Sequence, residues 1–216
     1  MPRILETEVM NDPLSVDAYN DAHSKTSLST FALSQLTTNF DIKTVADLGC
    51  GSCNYYSKLF EIFPVAKVTG FDASKSMLEK AKTNTITMNT EFIEYYINSI
   101  PDQKFDLVSS FLTLHQLPNP NIMWDTIKRI SNNNNFILFD LLRVEEDSVA
   151  NEIVNFFSPT KDNVFDLDFK NSLKAAFTEE EIKQQLKDND IKATTKIIEL
   201  SPIFKTILII GEPDVR

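Results

Sequence analysis

Asp47-Leu48-Gly49-Cys50-Gly51 follows the apolar run Thr44-Val45-Ala46 and precedes a stretch of helical character that begins near Asn54. The chain has only four glycines in 216 residues, and two of them fall in this turn. Glycine reaches positive φ without a Cβ penalty and lets a ligand lie against bare backbone, so a strand–GxG–helix unit marks a place where a nucleotide-like cofactor touches the main chain. Charge then selects among such cofactors. A dinucleotide fingerprint needs a further glycine, in G-x-G-x-x-G, and helix amides that face a pyrophosphate. Here that position holds Asn54, and the Asp47 carboxylate would repel an anion while suiting a ligand that carries an ammonium. A phosphate-cradling P-loop is excluded, because no Gly-Lys-Ser/Thr follows the turn.

The next strand adds a second acid. Val65-Ala66-Lys67-Val68-Thr69-Gly70-Phe71-Asp72 reads as a buried strand, and Ser74 to Lys82 continues with helical character and no breaker. An acid at the end of this strand can accept both hydroxyls of a ribose, since one carboxylate matches a cis-diol with two hydrogen bonds. Asp72 stands there. It or Ser74 also has the right type to cap the following helix.

Three further residues bear on chemistry. His115 follows the fourth strand of the pattern, where its ordinary pKa near 6.5 suits a general base; packing or capping within Leu114-His115-Gln116-Leu117 is its other role. Arg143 follows the fifth strand, and its planar fork fits either an anionic substrate or a salt bridge within the chain. Asp140, just before it, reads as structural. The only cysteines, Cys50 and Cys53, have C-x-x-C spacing, but with no second Cys or Cys/His pair to complete a tetrahedral site no metal is expected.

These residues need a scaffold that brings strand ends together. The periodicity predicts strands near 44–48, 67–72, 90–96, 105–111 and 136–142, with helices over 54–63, 75–83 and 121–131 between them. Such alternation argues a parallel sheet with helices on both faces and a ligand at the carboxyl ends of the strands. Ahead of it, Leu14 to Ala22 and Ser27 to Asn39 have helical spacing. Beyond it, Val149–Phe157 and Asn171–Phe177 are helical, Thr178 and Glu181 form a capping box for a helix over 179–188, and Ala193–Leu200 with Phe204–Gly211 can pair antiparallel. Asn132 to Asn135 reads as a surface turn.

The whole chain reads as one domain, 1–216, with residues 1–25 as an N-terminal lid and 145–178 as a segment covering the substrate. Phe156, Phe157, Phe165, Phe169 and Phe177 crowd that segment, either as ordinary packing or as an apolar pocket wall. A net charge of −10 weighs against a nucleic acid partner, whose backbone is bound through cationic surface. No run approaches the ~20 apolar residues of a membrane span, and the N-terminus lacks the apolar region of a signal peptide, so a cytoplasmic protein is expected.

Val45-Ala46-Asp47-Leu48-Gly49-Cys50-Gly51, followed by Val68-Thr69-Gly70-Phe71-Asp72-Ala73-Ser74-Lys75-Ser76-Met77, resembles motifs I and II of class I S-adenosylmethionine-dependent methyltransferases. Lys104-Phe105-Asp106-Leu107-Val108-Ser109-Ser110 with Leu114 to Pro120 is similar to that family's fourth strand and the loop after it. The flanks, including Pro2-Arg3-Ile4-Leu5-Glu6 and Asn171-Ser172-Leu173, resemble a group of small bacterial methyltransferases. The resemblance implies an α/β, Rossmann-like seven-stranded sheet, mostly parallel, with helices on both faces and an antiparallel C-terminal strand. It implies S-adenosylmethionine as cofactor, held by Asp47, Gly49, Cys50, Gly51, Asp72, Ala73, Met77 and Ser110. Two positions depart from the family. Cys53 stands at the third glycine of its turn, and Tyr96 replaces the acid that accepts from the adenine amino group, a bond that either Tyr96 or Asn98 could take.

Methyl transfer from a sulfonium is an in-line displacement, so positioning supplies most of the catalysis and a base is needed only where the acceptor loses a proton. His115 is the candidate base, and Tyr19, Arg143 and Asn171 are candidate substrate contacts. Ser109-Ser110-Phe111-Leu112 lacks the Asn/Asp-Pro-Pro-aromatic string of amino-directed nucleic acid enzymes. A small-molecule acceptor methylated at nitrogen, oxygen or sulfur is therefore expected. A protein methyltransferase and a non-catalytic cofactor-binding module are the two rival readings.

Overall fold

The computed structural model describes residues 3–5, 10–25, 28–36, 42–64, 66–158 and 163–213. Pro2, Glu6, Ser27, the 37–39 end of the helix expected after it, Val65 and residues 159–162 of the covering segment lie outside the described residues.

Val45, Ala46, Asp47 and Leu48 are buried without interruption because their strand, β1 (Thr44–Leu48), lies inside a sheet that is covered on both faces. The other strands are β2 (Lys67–Asp72), β3 (Thr90–Glu94), β4 (Leu107–Phe111), β5 (Phe136–Leu141), β6 (Ala193–Ser201) and β7 (Phe204–Gly211). They form one seven-stranded sheet in the order β3-β2-β1-β4-β5-β7-β6. Strands β1 to β5 pair in parallel, and β7 runs antiparallel between β5 and β6. The order reverses between β1 and β4, which opens a crevice at their carboxyl ends.

Eight helices surround the sheet among the described residues: α1 (Pro13–Lys25), α2 (Leu28–Ser34), α3 (Tyr56–Ile62), α4 (Lys75–Asn84), α5 (Asn121–Ile130), α6 (Asp147–Phe157), α7 (Asn163–Ala175) and α8 (Glu179–Asp188). Alternating strand residues feed two separate apolar cores. Val45, Val68 and Ile137 pack with Leu33, Leu59, Leu78, Ile153 and Leu173, from α2, α3, α4, α6 and α7. Ala46, Val108 and Leu138 pack with Trp124 and Ile127 of α5 and with Ile182 and Leu186 of α8. The reciprocal Thr178–Glu181 capping box starts α8 as its sequence predicts.

Strands β1, β2 and β7 match their expected bounds, and the shifts of α3 and α7 have a physical reason. Helix α3 starts at Tyr56 rather than Asn54, because the residues before it complete the turn with Cys53 at φ 59°. Helix α7 begins eight residues earlier than Asn171, since Phe165, Phe169 and Leu173 continue its buried face toward the N-terminus. In the asparagine run, Asn133 and Asn134 adopt positive φ, a backbone state that asparagine tolerates better than most side chains. Among the described residues no helix is long and apolar enough to cross a membrane.

Candidate functional site

The turn after β1 is built around its glycines. Gly49 has φ 71°, and a Cβ there would meet the Thr113 side chain at 2.4 Å; Gly51 has φ 53° with open space before it. Phe71 at the end of β2 accepts from the Gly49 and Cys50 amides at 2.8 and 3.1 Å, so the two strand ends are tied together. Asp72 accepts from the Gly51 amide through Oδ2 and from the Ser74 amide through Oδ1, both at 2.8 Å. Ser74 in turn caps α4 by accepting from the Met77 amide. Burial raises the Asp72 carboxyl above its ordinary pKa, and the amides of Ser74, Gly51 and Ala73 act in the opposite direction. Each carboxylate oxygen has two lone pairs, so this engagement leaves capacity for a ligand diol.

A cavity of about 450 Å³ opens here. Gly49, Cys50, Gly51, Asp72, Ser74 and Met77 line one end, with Met10, Asn11, Asp12 and Ser15 of the N-terminal part also in its wall. That part is held by Ser74 Oγ donating to the Met10 carbonyl at 2.6 Å, by Ser76 Oγ donating to the Asn11 carbonyl and by a Lys80–Asp17 ion pair. Asn84 donates to Asn20 and to the Ser52 carbonyl, and Asn54 to the Asn20 carbonyl, which joins α1 to α4 and to the glycine turn. Tyr19, Phe111, Thr113, His115, Gln116, Phe157, Phe165, Asp168, Phe169 and Ser172 also line the cavity.

Asp47 departs from its expected direct contact with an ammonium. It is fully buried and does not line the cavity, because Tyr55 donates to Oδ2 at 2.5 Å and Ser109 to Oδ1 at 2.7 Å. Tyr55, whose hydroxyl makes the first of these bonds, itself lines the cavity. Burial lifts the Asp47 carboxyl to about 6, against the hydrogen bonds of Tyr55 and Ser109. A raised folded pKa means that the native state holds the proton more tightly than the unfolded chain. The stabilisation is then full below about 3.8 and is lost as pH rises through about 6. Asp47 should therefore make the ligand-free fold less stable at pH 7 than at pH 4 by up to about 3 kcal/mol. Urea unfolding of wild type and Asp47→Asn across that range checks this: equal pH slopes in the two proteins would refute it.

His115 is buried and is held twice by Asp140. Its Nδ1 lies 2.5 Å from Asp140 Oδ1, and its amide donates to Oδ2 at 3.0 Å. Adjacent parallel strands β4 and β5 place the two residues side by side. In an imidazole whose Nδ1–H is turned to a carboxylate, Nε2 is the basic nitrogen. The carbonyls of His115 and Leu117 accept from Arg3 Nη2 at 2.6 and 2.8 Å, and Arg3 Nε donates to the Ala175 carbonyl. The guanidinium also lies 3.9 Å from the centre of the Phe177 ring.

Several expected site residues lie elsewhere. Tyr96 is 65% exposed and Asn98 is also exposed; neither lines the cavity, and in this segment it is Ile97 and Ile100 that are buried, in the core shared with α5. Ala73 does not line it, and Ser110 is buried, donating to the Leu48 carbonyl to tie β4 to β1. Arg143 pairs with Glu181 at 2.8 Å and faces a separate depression beside Thr178, so it does not clamp a substrate in this cavity. Asn171 is exposed, and its neighbour Ser172 lines the cavity instead. Phe156 is exposed, while Phe157, Phe165 and Phe169 face the cavity. Cys50 and Cys53 both line it with thiols pushed up by burial, and among the described residues no group of His, Cys, Asp and Glu is placed to hold a metal. Tyr55, Met10 and Asp168 in the cavity wall and the pairing of His115 with Asp140 are not among the expected site contacts; Met10 and Asp168 fall only within the flanking segments that resemble the family, and Asp168 has helical spacing with Phe165 and Ser172.

The profile of the methyltransferase domain matches residues 40–190. Trans-aconitate 2-methyltransferase of Escherichia coli is 38% identical over 80 residues, 37% of this chain and 31% of that protein, so the match spans under a third of the curated relative. The fold is that of a methyltransferase from Aquifex aeolicus described as SAM dependent, with TM-score 0.67 at 19% identity over 93% of this chain and 97% of the other. The plantazolicin methyltransferase BpumL, solved with a triazolic desmethylPZN analog and SAH, gives TM-score 0.66 at 17% identity over 93% and 92% of the two chains.

Proposed function

Because the chain belongs to the methyltransferase domain family, we propose that it transfers the methyl group of S-adenosylmethionine to a small-molecule acceptor. The observation that carries this reading is one cavity that joins the glycine turn and Asp72 to His115. Bound there, the cofactor supplies an electrophilic methyl group. The backbone of Gly49 to Gly51 would receive its amino-acid end, Asp72 its ribose and Met77 its adenine. His115, oriented by Asp140, takes a proton from an acceptor that must lose one.

The enclosing elements favour a small acceptor over a protein. Residues of α1, α6 and α7 all stand in the cavity wall, and an open peptide groove would need that side clear. The buried His115–Asp140 pair favours catalysis over cofactor binding alone. The relatives named for trans-aconitate support a small molecule as the class of acceptor. That acid itself is not carried over, because a polycarboxylate calls for cationic partners and no Lys or Arg is among the described residues lining the cavity.

Calorimetry tests the reading directly. S-adenosylmethionine and S-adenosylhomocysteine should each bind at one site per chain, and NADH should not. Formation of S-adenosylhomocysteine with small metabolites, and not with peptides, would separate the acceptor classes. Binding of NADH in place of the adenosyl ligands would overturn the assignment.

A further inference from the structure

We propose that the acceptor is an organic amine with an aromatic or apolar body, its nitrogen bound as an ammonium beside Asp168; this rests on the methyl-transfer reading above. Phe165, Asp168, Phe169 and Ser172 recur at helical spacing and all line the cavity, so one face of α7 forms part of its wall. Helix α7 packs on the 114–116 turn that carries His115 and on α1, which carries Tyr19. The Phe165 and Phe169 rings are 5.9 Å apart, Phe169 and Phe204 5.8 Å, and Phe204 and Phe157 4.9 Å, a continuous aromatic surface. The charged side chains among the described lining residues are all carboxylates, Asp12, Asp72 and Asp168. Asp12 and Asp72 lie with the glycine turn and the N-terminal part. Asp168 alone stands on the aromatic face.

A carboxylate set among ring faces recognises an organic cation twice over, by opposite charge and by the negative faces of the rings. To a carboxylate-bearing acceptor the described lining residues offer no Lys or Arg. The chemistry then balances without a further reactant. The ammonium gives one proton to His115, the freed lone pair forms the N–CH3 bond, and the S–CH3 bond breaks with its electron pair left on sulfur. The products are a methylated ammonium and a neutral thioether.

The test uses three probes of similar shape, phenethylamine, phenethyl alcohol and hydrocinnamate, titrated into the full chain saturated with S-adenosylhomocysteine. Phenethylamine should bind at least about tenfold more tightly than hydrocinnamate. Asp168→Asn should lose most of that preference and Asp168→Glu should keep it, with S-adenosylhomocysteine affinity unchanged in both as evidence of folding. Equal binding of amine and carboxylate, a preference that survives Asp168→Asn, or no binding by any probe while S-adenosylhomocysteine binds would each overturn the proposal. Failure of S-adenosylhomocysteine itself to bind wild type would instead overturn the cofactor reading beneath it, and the first titration reports that separately.

Discussion

His115→Gln should slow methyl transfer by about a hundredfold to ten-thousandfold, the scale on which a positioned general base contributes, with S-adenosylhomocysteine affinity almost unchanged. The separation is expected because His115 holds its loop through the main chain as well as the ring. Its amide donates to Asp140 Oδ2 and its carbonyl accepts from Arg3, and neither bond depends on the side chain. The substitution therefore removes the imidazole and leaves its anchorage. Asp140→Asn should cost less in rate, since it keeps a partner for Nδ1 but alters its charge. Unchanged rate in the variant would mean that the ring only packs.

Asp72→Ala should weaken both S-adenosylmethionine and S-adenosylhomocysteine by about 1–3 kcal/mol, roughly fivefold to more than a hundredfold, the scale for removing a charged hydrogen-bond partner. The two ligands should lose equally, because they share the ribose and differ only at sulfur. Asp72 also accepts from the Gly51 and Ser74 amides, so truncation leaves two donors without their acceptor and should lower thermal stability. Asp72→Asn separates the effects, since its single amide oxygen can still accept from one of them. Tyr96→Phe serves as the control and should leave affinity unchanged, because Tyr96 is exposed and outside the cavity. Wild-type affinity in Asp72→Ala, measured by calorimetry, would remove this residue from the site.

The scaffold was readable because its signals are local. The parallel strands other than β3 are short buried runs, and acids and glycines mark the ends of β1 and β2, so strand, turn and helix there follow from neighbours in sequence. The site was readable only as far as the same locality reaches. Asp47 stands next to the last residue of β1, but sequence does not tell which partner its carboxylate meets, and Tyr55 and Ser109 reach it first. His115 and Asp140 are joined by the pairing of β4 with β5, a relation 25 residues apart in the chain. Arg143 lies just past β5, yet it turns to Glu181 of α8, on the face opposite to α7. Asp168 carries a helical pattern, but which side of α7 meets the cavity is decided by the docking of that helix against Phe204. In each case the missing information is the direction of a side chain after tertiary contact.

Arg3 has a consequence for the order in which the molecule assembles. Its bonds reach the carbonyls of His115, Leu117 and Ala175, so they close loops of 112 to 172 residues. Loops of that length carry a large closure entropy, and contacts so distant in sequence form late. The sheet can pair and its two cores consolidate before residue 3 finds any of these partners. The Arg3 clasp over the 115–117 turn is then among the last contacts to form. For the same reason the clasp can be released with every strand of the sheet still paired, leaving Asp140 to hold His115.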